Sequence, residues 1–146
     1  MIIIDGSSGE GGGQILRTSL ALSCITGQPF SMHHIRAGRK NPGLRPQHLA
    51  SVNAAARISR AEFSGAHVGS QNLLFTPKKI YPGSYNFSIG TAGSTTLVFQ
   101  TVLPPLMMQS SPSTLHLEGG THNPLAPHLI FWRKHLFPCL TGWELV

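Results

Sequence analysis

Between Asp5 and Arg17 the chain reads Asp-Gly-Ser-Ser-Gly-Glu-Gly-Gly-Gly-Gln-Ile-Leu-Arg, a run that combines backbone access with charge. Glycines at 6, 9, 11, 12 and 13 remove the side chains that would hold an anion away from peptide N–H groups. The run leads into an apolar stripe, Leu16, Leu20 and Cys24 at i, i+4 and i+8, widened by Ile15 and Leu22. That stripe predicts a helix, so the glycines stand at a helix N-terminus, where unpaired N–H groups and the helix dipole favour a phosphate. The loop matches neither the dinucleotide fingerprint, which needs glycine where Gln14 or Leu16 stands, nor the P-loop ending in Gly-Lys-Ser/Thr. Glu10 would repel phosphate unless a cation lies between them, which suggests Mg²⁺ or Mn²⁺ shared with substrate oxygens. Gln14 and Arg17, at i and i+3, lean back over the loop. The plainer alternative is a flexible glycine turn with Glu10 and Arg17 as surface charges.

A second cluster follows in a turn-rich loop: Arg36, Arg39, Lys40 and Arg45, then Gln47 and His48 at the next helix start. Guanidinium groups grip phosphate oxygens in pairs, and α/β folds bind ligands beyond the carboxyl ends of strands. With Arg17 these residues would form a cationic pocket beside Glu10. Lys40, Lys78 and Lys79 read as solvated surface. The eight histidines form no His-x₃-His pair, so no zinc site is expected. His116, alternating with Leu115 and Leu117, reads as an outward residue. His48 and His122 lie in Gly/Pro loops within reach of phosphate, with nothing to mark either as a nucleophile.

The elements that must hold these residues alternate. Met1 to Ile4 reads as a short buried strand, Ile15 to Cys24 as a helix stopped by Thr26-Gly27-Gln28-Pro29, and Phe30 to Ile35 as a strand delivering Arg36. Pro46 suits the first position of a helix running to about Ser59, and Glu62 to Val68 with Asn72 to Thr76 form a strand pair. A second series follows: a strand from Tyr85 to Ile89, a Gly turn at 90–94, and a helix from Thr95 to Leu103 that Pro104-Pro105 ends or kinks. Then come a strand from Thr114 to Glu118, a loop from Gly119 to Pro124, and a helix from Pro127 to Leu140 with Leu129, Trp132 and Leu136 on one face.

Gly11 and Gly93, Gly38 and Gly120, and Asn41-Pro42 and Asn123-Pro124 all stand 82 residues apart. One shared offset argues for an internal duplication. The predicted fold is α/β (α+β), of repeated β-α-β-α-β-β units, each a small sheet packed by two helices. Residues 1–77 are the first unit and 83–146 the second. On the same offset the second unit lacks about two short strands, so the chain reads as truncated. Gly142 to Val146 would begin a strand without its hairpin partner, an unpaired edge open to self-association.

The charge is lopsided, 11 Lys and Arg against 5 Asp and Glu, a net charge of +6 that favours an anionic partner such as nucleic acid or nucleotide. Hydrophobic residues make up 40% of the chain, enough for a packed core and too many for a disordered segment. Cys24 and Cys139 lie inside apolar helical patterns and read as buried thiols of a reducing compartment. No stretch reaches membrane-spanning length and the opening lacks a basic n-region, so a cytoplasmic, non-membrane protein is expected.

Residues 5–17, Ile-Arg-Ala-Gly-Arg at 35–39, Pro-Gly-Leu-Arg-Pro-Gln-His-Leu at 42–49 and Thr-Ala-Gly-Ser at 91–94 resemble the RNA 3′-terminal phosphate cyclases. The likeness covers nearly the whole chain in order. It implies an enzyme that takes AMP from ATP onto a histidine and passes it to an RNA 3′-phosphate. The adjacent 2′-hydroxyl then attacks, closing a 2′,3′-cyclic phosphate and releasing AMP. It implies roles as well: Glu10 for the metal, Arg17, Arg36, Arg39 and Gln47 for the phosphate and RNA end, Gln14 and His48 in support, Gln100 and Pro127 against ATP. In that family the adenylated histidine lies far toward the C-terminus of a chain over twice this length, and no histidine here has its context. The chain alone is therefore expected not to adenylate itself. The alternative is a non-catalytic cyclase-like RNA-binding factor of ribosomal RNA processing. Glu10, Arg17, Arg39 and Gln47 favour the catalytic branch, because a pure binder has no need of a metal carboxylate. A sugar-transferase fold with similar repeats has only architecture in its favour.

Overall fold

The computed structural model describes residues 1–90, 93–121 and 126–136. Strand β1 (Ile2–Asp5) leads to helix α1 (Gly13–Thr26), β2 (Phe30–His33), α2 (Pro46–Ser59), β3 (Glu62–Ser64) and β4 (Leu73–Thr76). After these come β5 (Ser84–Ser88), α3 (Thr95–Met107), β6 (Thr114–Glu118) and a helical segment, α4, of one α turn (Leu129–Phe131) continuing as a π turn (Trp132–Leu136). Four strands form one sheet in the order β1-β2-β4-β3, and β5 with β6 forms a second. β1 runs parallel to β2 with Ile2 opposite Phe30, and β5 runs parallel to β6 with Ser84 opposite Thr114. Each parallel pair is joined through a helix, as parallel strands require. This is a mixed α/β (α+β) fold of small sheets packed by helices, as the alternation of apolar runs predicts.

The core lies between the first sheet and three helices. Phe30, Met32, Leu73 and Phe75 meet Leu16, Leu20 and Cys24 of α1, Val52, Ala55 and Ile58 of α2, and Val98, Val102 and Leu106 of α3, all buried. Phe30 and Phe75 face each other across β2 and β4 with ring centroids 5.7 Å apart. Cys24 sits in the α1–α2 seam, its Sγ 3.9 Å from the Ala55 carbonyl oxygen, and burial pushes its thiol up to about 11.

Several expectations need correction. The β-branched opening forms β1, yet Ile2 and Ile3 are 51% and 74% exposed. Among the described residues β1 pairs with β2 alone, at the edge of the sheet, and of its isoleucines only Ile4 packs, partly buried, against the core that β2 and β4 fill. Leu22 is exposed and not part of the α1 stripe. β2 stops at His33, because His34 and Arg36 take left-handed backbone (φ 53° and 54°). β3 stops at Ser64, where Gly65 turns at φ 80°. Pro104 and Pro105 do not end α3, which runs on to Met107. Each proline removes a helix donor at roughly 3 kcal/mol, but Leu103, Pro105 and Leu106 are buried and α3 packs on both α1 and α2. That burial outweighs the loss.

Thr91-Ala92, the loop residues 122–125 with His122, the end of the helix expected to reach Leu140, Cys139, and the strand expected from Gly142 to Val146 lie outside the described residues.

Candidate phosphate site

Asp5 closes β1 and starts the glycine loop. Its carboxylate accepts the Ser7 hydroxyl (2.7 Å) and the Ser7 N–H (3.0 Å) and lies 3.4 Å from His34 Nδ1. The Ser7 hydroxyl, the Ser7 N–H and His34 hold its pKa below the ordinary carboxylate value. Gly9 and Gly11 then take φ of 61° and 55°, conformations that a side chain would resist. α1 opens at Gly12 with no side-chain cap and no acidic residue in its first turn. Its first N–H groups and positive dipole end are thus left to whatever anion the surroundings admit.

The surroundings are cationic. Arg39 reaches across from its own loop, Nη2 donating to the Glu10 carbonyl (2.8 Å) and Nε to the Gly11 carbonyl (3.4 Å). A Cβ added at Gly12 would lie 3.2 Å from Arg39 Nη2. One added at Gly13 would run into His48 Nε2 and stand 2.7 Å from Arg17 Nη1. Gly13 is therefore glycine because the imidazole of α2 and the guanidinium of α1 both close on its α-carbon. Arg17 is only 8% exposed, its Nη2 donates to Gln14 Oε1 at 3.1 Å, and its buried Nε has no partner among the described residues. Burial lowers its pKa from the ordinary value, yet a guanidinium stays charged throughout the accessible range.

His48 is positioned by the start of α2. The Arg45 N–H donates to His48 Nδ1 (3.0 Å) and the His48 N–H donates to the Arg45 carbonyl (2.8 Å), a reciprocal pair closing the first turn. Burial, then the charges of Arg36, Arg17 and Arg45, lower the imidazole to about 4. It is neutral at physiological pH. Arg36 gives Nη1 to the carbonyls of Asn41 (2.8 Å) and Gly43 (3.0 Å), so it shapes the 36–43 loop as well as adding charge. Gln47 is half-buried and its Nε2 has no partner among the described residues.

Glu10 is exposed, and among the described residues its carboxylate forms no ion pair. It opens on a hollow of about 360 Å³ with Ser8, Gly12 and Gln14. A neighbouring hollow of about 220 Å³ holds Arg17, Gln100 and Pro104, and Gln14 walls both. Gln100 Oε1 is buried without a partner among the described residues. Pro127 is half-buried and lines neither hollow. The structure thus gathers Gln14, Arg17, Arg39 and His48 at Gly12–Gly13, places Glu10 and Gln100 on either side, and leaves Pro127 apart. Sequence reading missed the part played by the Arg45 backbone. Its place before Pro46, at the helix cap, was the available signal. No group of three or more metal-ligating side chains occurs among the described residues, and His116 is exposed on β6.

A parallel strand pair, a glycine loop, an uncapped helix start and converging guanidinium groups come together in one α/β module. The family model for RNA 3′-terminal phosphate cyclase matches residues 8–145. The chain is 56% identical over 140 residues to an RNA 3′-terminal phosphate cyclase from Koribacter versatilis (strain Ellin345), a match covering 96% of this chain and 39% of that protein. The chain belongs to the RNA 3′-terminal phosphate cyclase family. It spans about two fifths of the length of this curated relative. No helix among the described residues is long and apolar enough to cross a membrane.

Proposed function

We propose that this chain supplies the phosphate-end pocket of an ATP-dependent RNA 3′-phosphate cyclase, and that by itself it binds RNA ends without adenylating itself. The observation that carries the reading is the open start of α1, where Arg17, Arg39 and His48 converge on Gly12 and Gly13. A terminal phosphate seated there accepts hydrogen bonds from the first N–H groups of α1 and from the Arg17 and Arg39 guanidinium groups. Gln14 holds Arg17 in place, while Gln47 and Arg36 border the nucleotide that carries the phosphate. Fixed donors of this kind stabilise charge on phosphorus without reorganising during reaction.

The neighbouring hollow is the place we assign to part of ATP, because Arg17 Nε and Gln100 Oε1 are buried polar atoms there without partners among the described residues. Glu10 suits Mg²⁺ or Mn²⁺, because its exposed carboxylate carries no ion pair among the described residues. With Glu10 as the one protein carboxylate, the ion would draw its other ligands from phosphate oxygens and water, the usual arrangement for Mg²⁺. The ion supplies charge neutralisation between the nucleotide and the RNA end.

The test is equilibrium binding of one fluorescent oligoribonucleotide carrying a 3′-phosphate, a 3′-hydroxyl or a 2′,3′-cyclic phosphate. The 3′-phosphate form should bind at least tenfold more tightly than the 3′-hydroxyl form. Indifference to the terminal group would overturn the proposal. A labelled protein band after incubation with labelled ATP and Mn²⁺ would overturn the claim of self-adenylation being absent.

A further inference from the structure

His48 has a chemical identity that its position dictates. Its Nδ1 accepts the Arg45 N–H at 3.0 Å, so Nδ1 carries no proton. A neutral imidazole has one N–H, and it must then be on Nε2. That nitrogen is the atom met by a Cβ added at Gly13, beside Arg17 Nη1, and it has no hydrogen-bond partner among the described residues. Three guanidinium groups bear on the ring: Arg17 from α1, Arg36 from the loop after β2, and Arg45 from the start of α2. No acidic side chain forms an ion pair with it among the described residues.

We infer that His48 is a tautomer-locked neutral donor whose Nε2–H binds a non-bridging oxygen of the terminal phosphate, and that it cannot act as a general base there. For Nε2 to accept a proton, the ring would first have to carry its own proton on Nδ1, which would set two N–H groups against each other at the start of α2. To take one and become cationic, it would place a fourth positive charge among Arg17, Arg36 and Arg45. Both routes oppose proton uptake, so the proton of an attacking 2′-hydroxyl leaves by another path. The inference rests on the phosphate-pocket reading and adds a role and a protonation state to one of its residues.

The test uses the whole chain with ¹⁵N-labelled histidine, titrated with uridine 3′-monophosphate. The ring nitrogens should show Nε2 protonated and Nδ1 bare from pH 5.5 to 8, and ligand should move the Nε2–H resonance together with the Gly12 and Gly13 amides. His48→Asn keeps an acceptor for the Arg45 N–H and removes the distal donor. It should weaken ligand binding about tenfold with little change in melting temperature, whereas His48→Ala should lower both. A proton on Nδ1, or glycine amides that move while Nε2–H does not, would overturn the inference and leave the pocket standing. Glycine amides that stay still would overturn the pocket itself, whatever the ring shows.

Discussion

Two helix starts in this molecule each follow the first strand of a parallel pair, and their surroundings differ. Neither has a side-chain cap, but α1 begins with Gly12 and Gly13 and faces Arg17, Arg39 and His48. Eighty-two residues further on, α3 begins with Ser94 and Thr95. There the Thr95 N–H and hydroxyl both donate to the Gly120 carbonyl, at 2.8 and 3.0 Å, and the buried Ser94 hydroxyl pairs with that of Thr96 at 2.7 Å. The next layer differs in the same direction. Arg17 abuts His48, while Phe99 meets Trp132 edge-on at 5.3 Å. A strand–turn–helix unit thus stays open to an anion when its donors are left unsatisfied and surrounded by cations. It becomes packing when its own neighbours satisfy those donors.

The sharpest way to break the contrast is to write the α3 residue into α1. Gly13→Thr forces side-chain atoms into the space held by His48 Nε2 and Arg17 Nη1. Binding of the 3′-phosphorylated oligoribonucleotide should fall a hundredfold or more, and overpacking should lower stability by about 2 kcal/mol in urea titrations. Arg17→Ala and Arg39→Ala each remove charge-assisted hydrogen bonds of roughly 2 kcal/mol, which predicts losses near thirtyfold. Those losses should vanish for the 3′-hydroxyl oligoribonucleotide. If both RNAs lose equally, the guanidinium groups serve general attraction only.

A third test uses acid. The His48 pKa falls from 6.5 unfolded to about 4 folded, so the unfolded chain takes up the proton first. The stability from keeping the ring neutral is complete above pH 6.5 and is lost as pH falls toward 4, on the order of 3 kcal/mol in all. In His48→Asn the decline of melting temperature between pH 6.5 and 4 should be clearly shallower. Least disruptive is Thr95→Val in α3, which removes the hydroxyl donated to Gly120. It should cost about 1 kcal/mol of stability and leave phosphate binding unchanged within twofold. A large binding defect there would erase the distinction between the two starts.

What was legible in the sequence was local. Five glycines before an i, i+4 stripe announced α1 and its open start, and Pro46 announced α2. The basic loop was visible as charge, but that Arg39 would lie on the Glu10 and Gly11 carbonyls depended on left-handed turns at His34 and Arg36, which those residue types do not advertise. Tertiary packing overrode local preference in α3, where burial carries the helix past Pro104-Pro105. β1 showed the reverse error. Its isoleucines said strand correctly, but an apolar run does not reveal whether a strand lies inside a sheet or at its rim.

Cys24 gives the molecule a built-in clock. Its thiol faces the Ala55 carbonyl across the seam between α1 and α2, and at neutral pH almost none of it is thiolate. Alkylating reagents attack the thiolate, so modification at this position must wait until the two helices part. In a variant lacking Cys139, the labelling rate would count those separations directly. A phosphate that ties Arg17 of one helix to His48 of the other should slow the count in proportion to its occupancy.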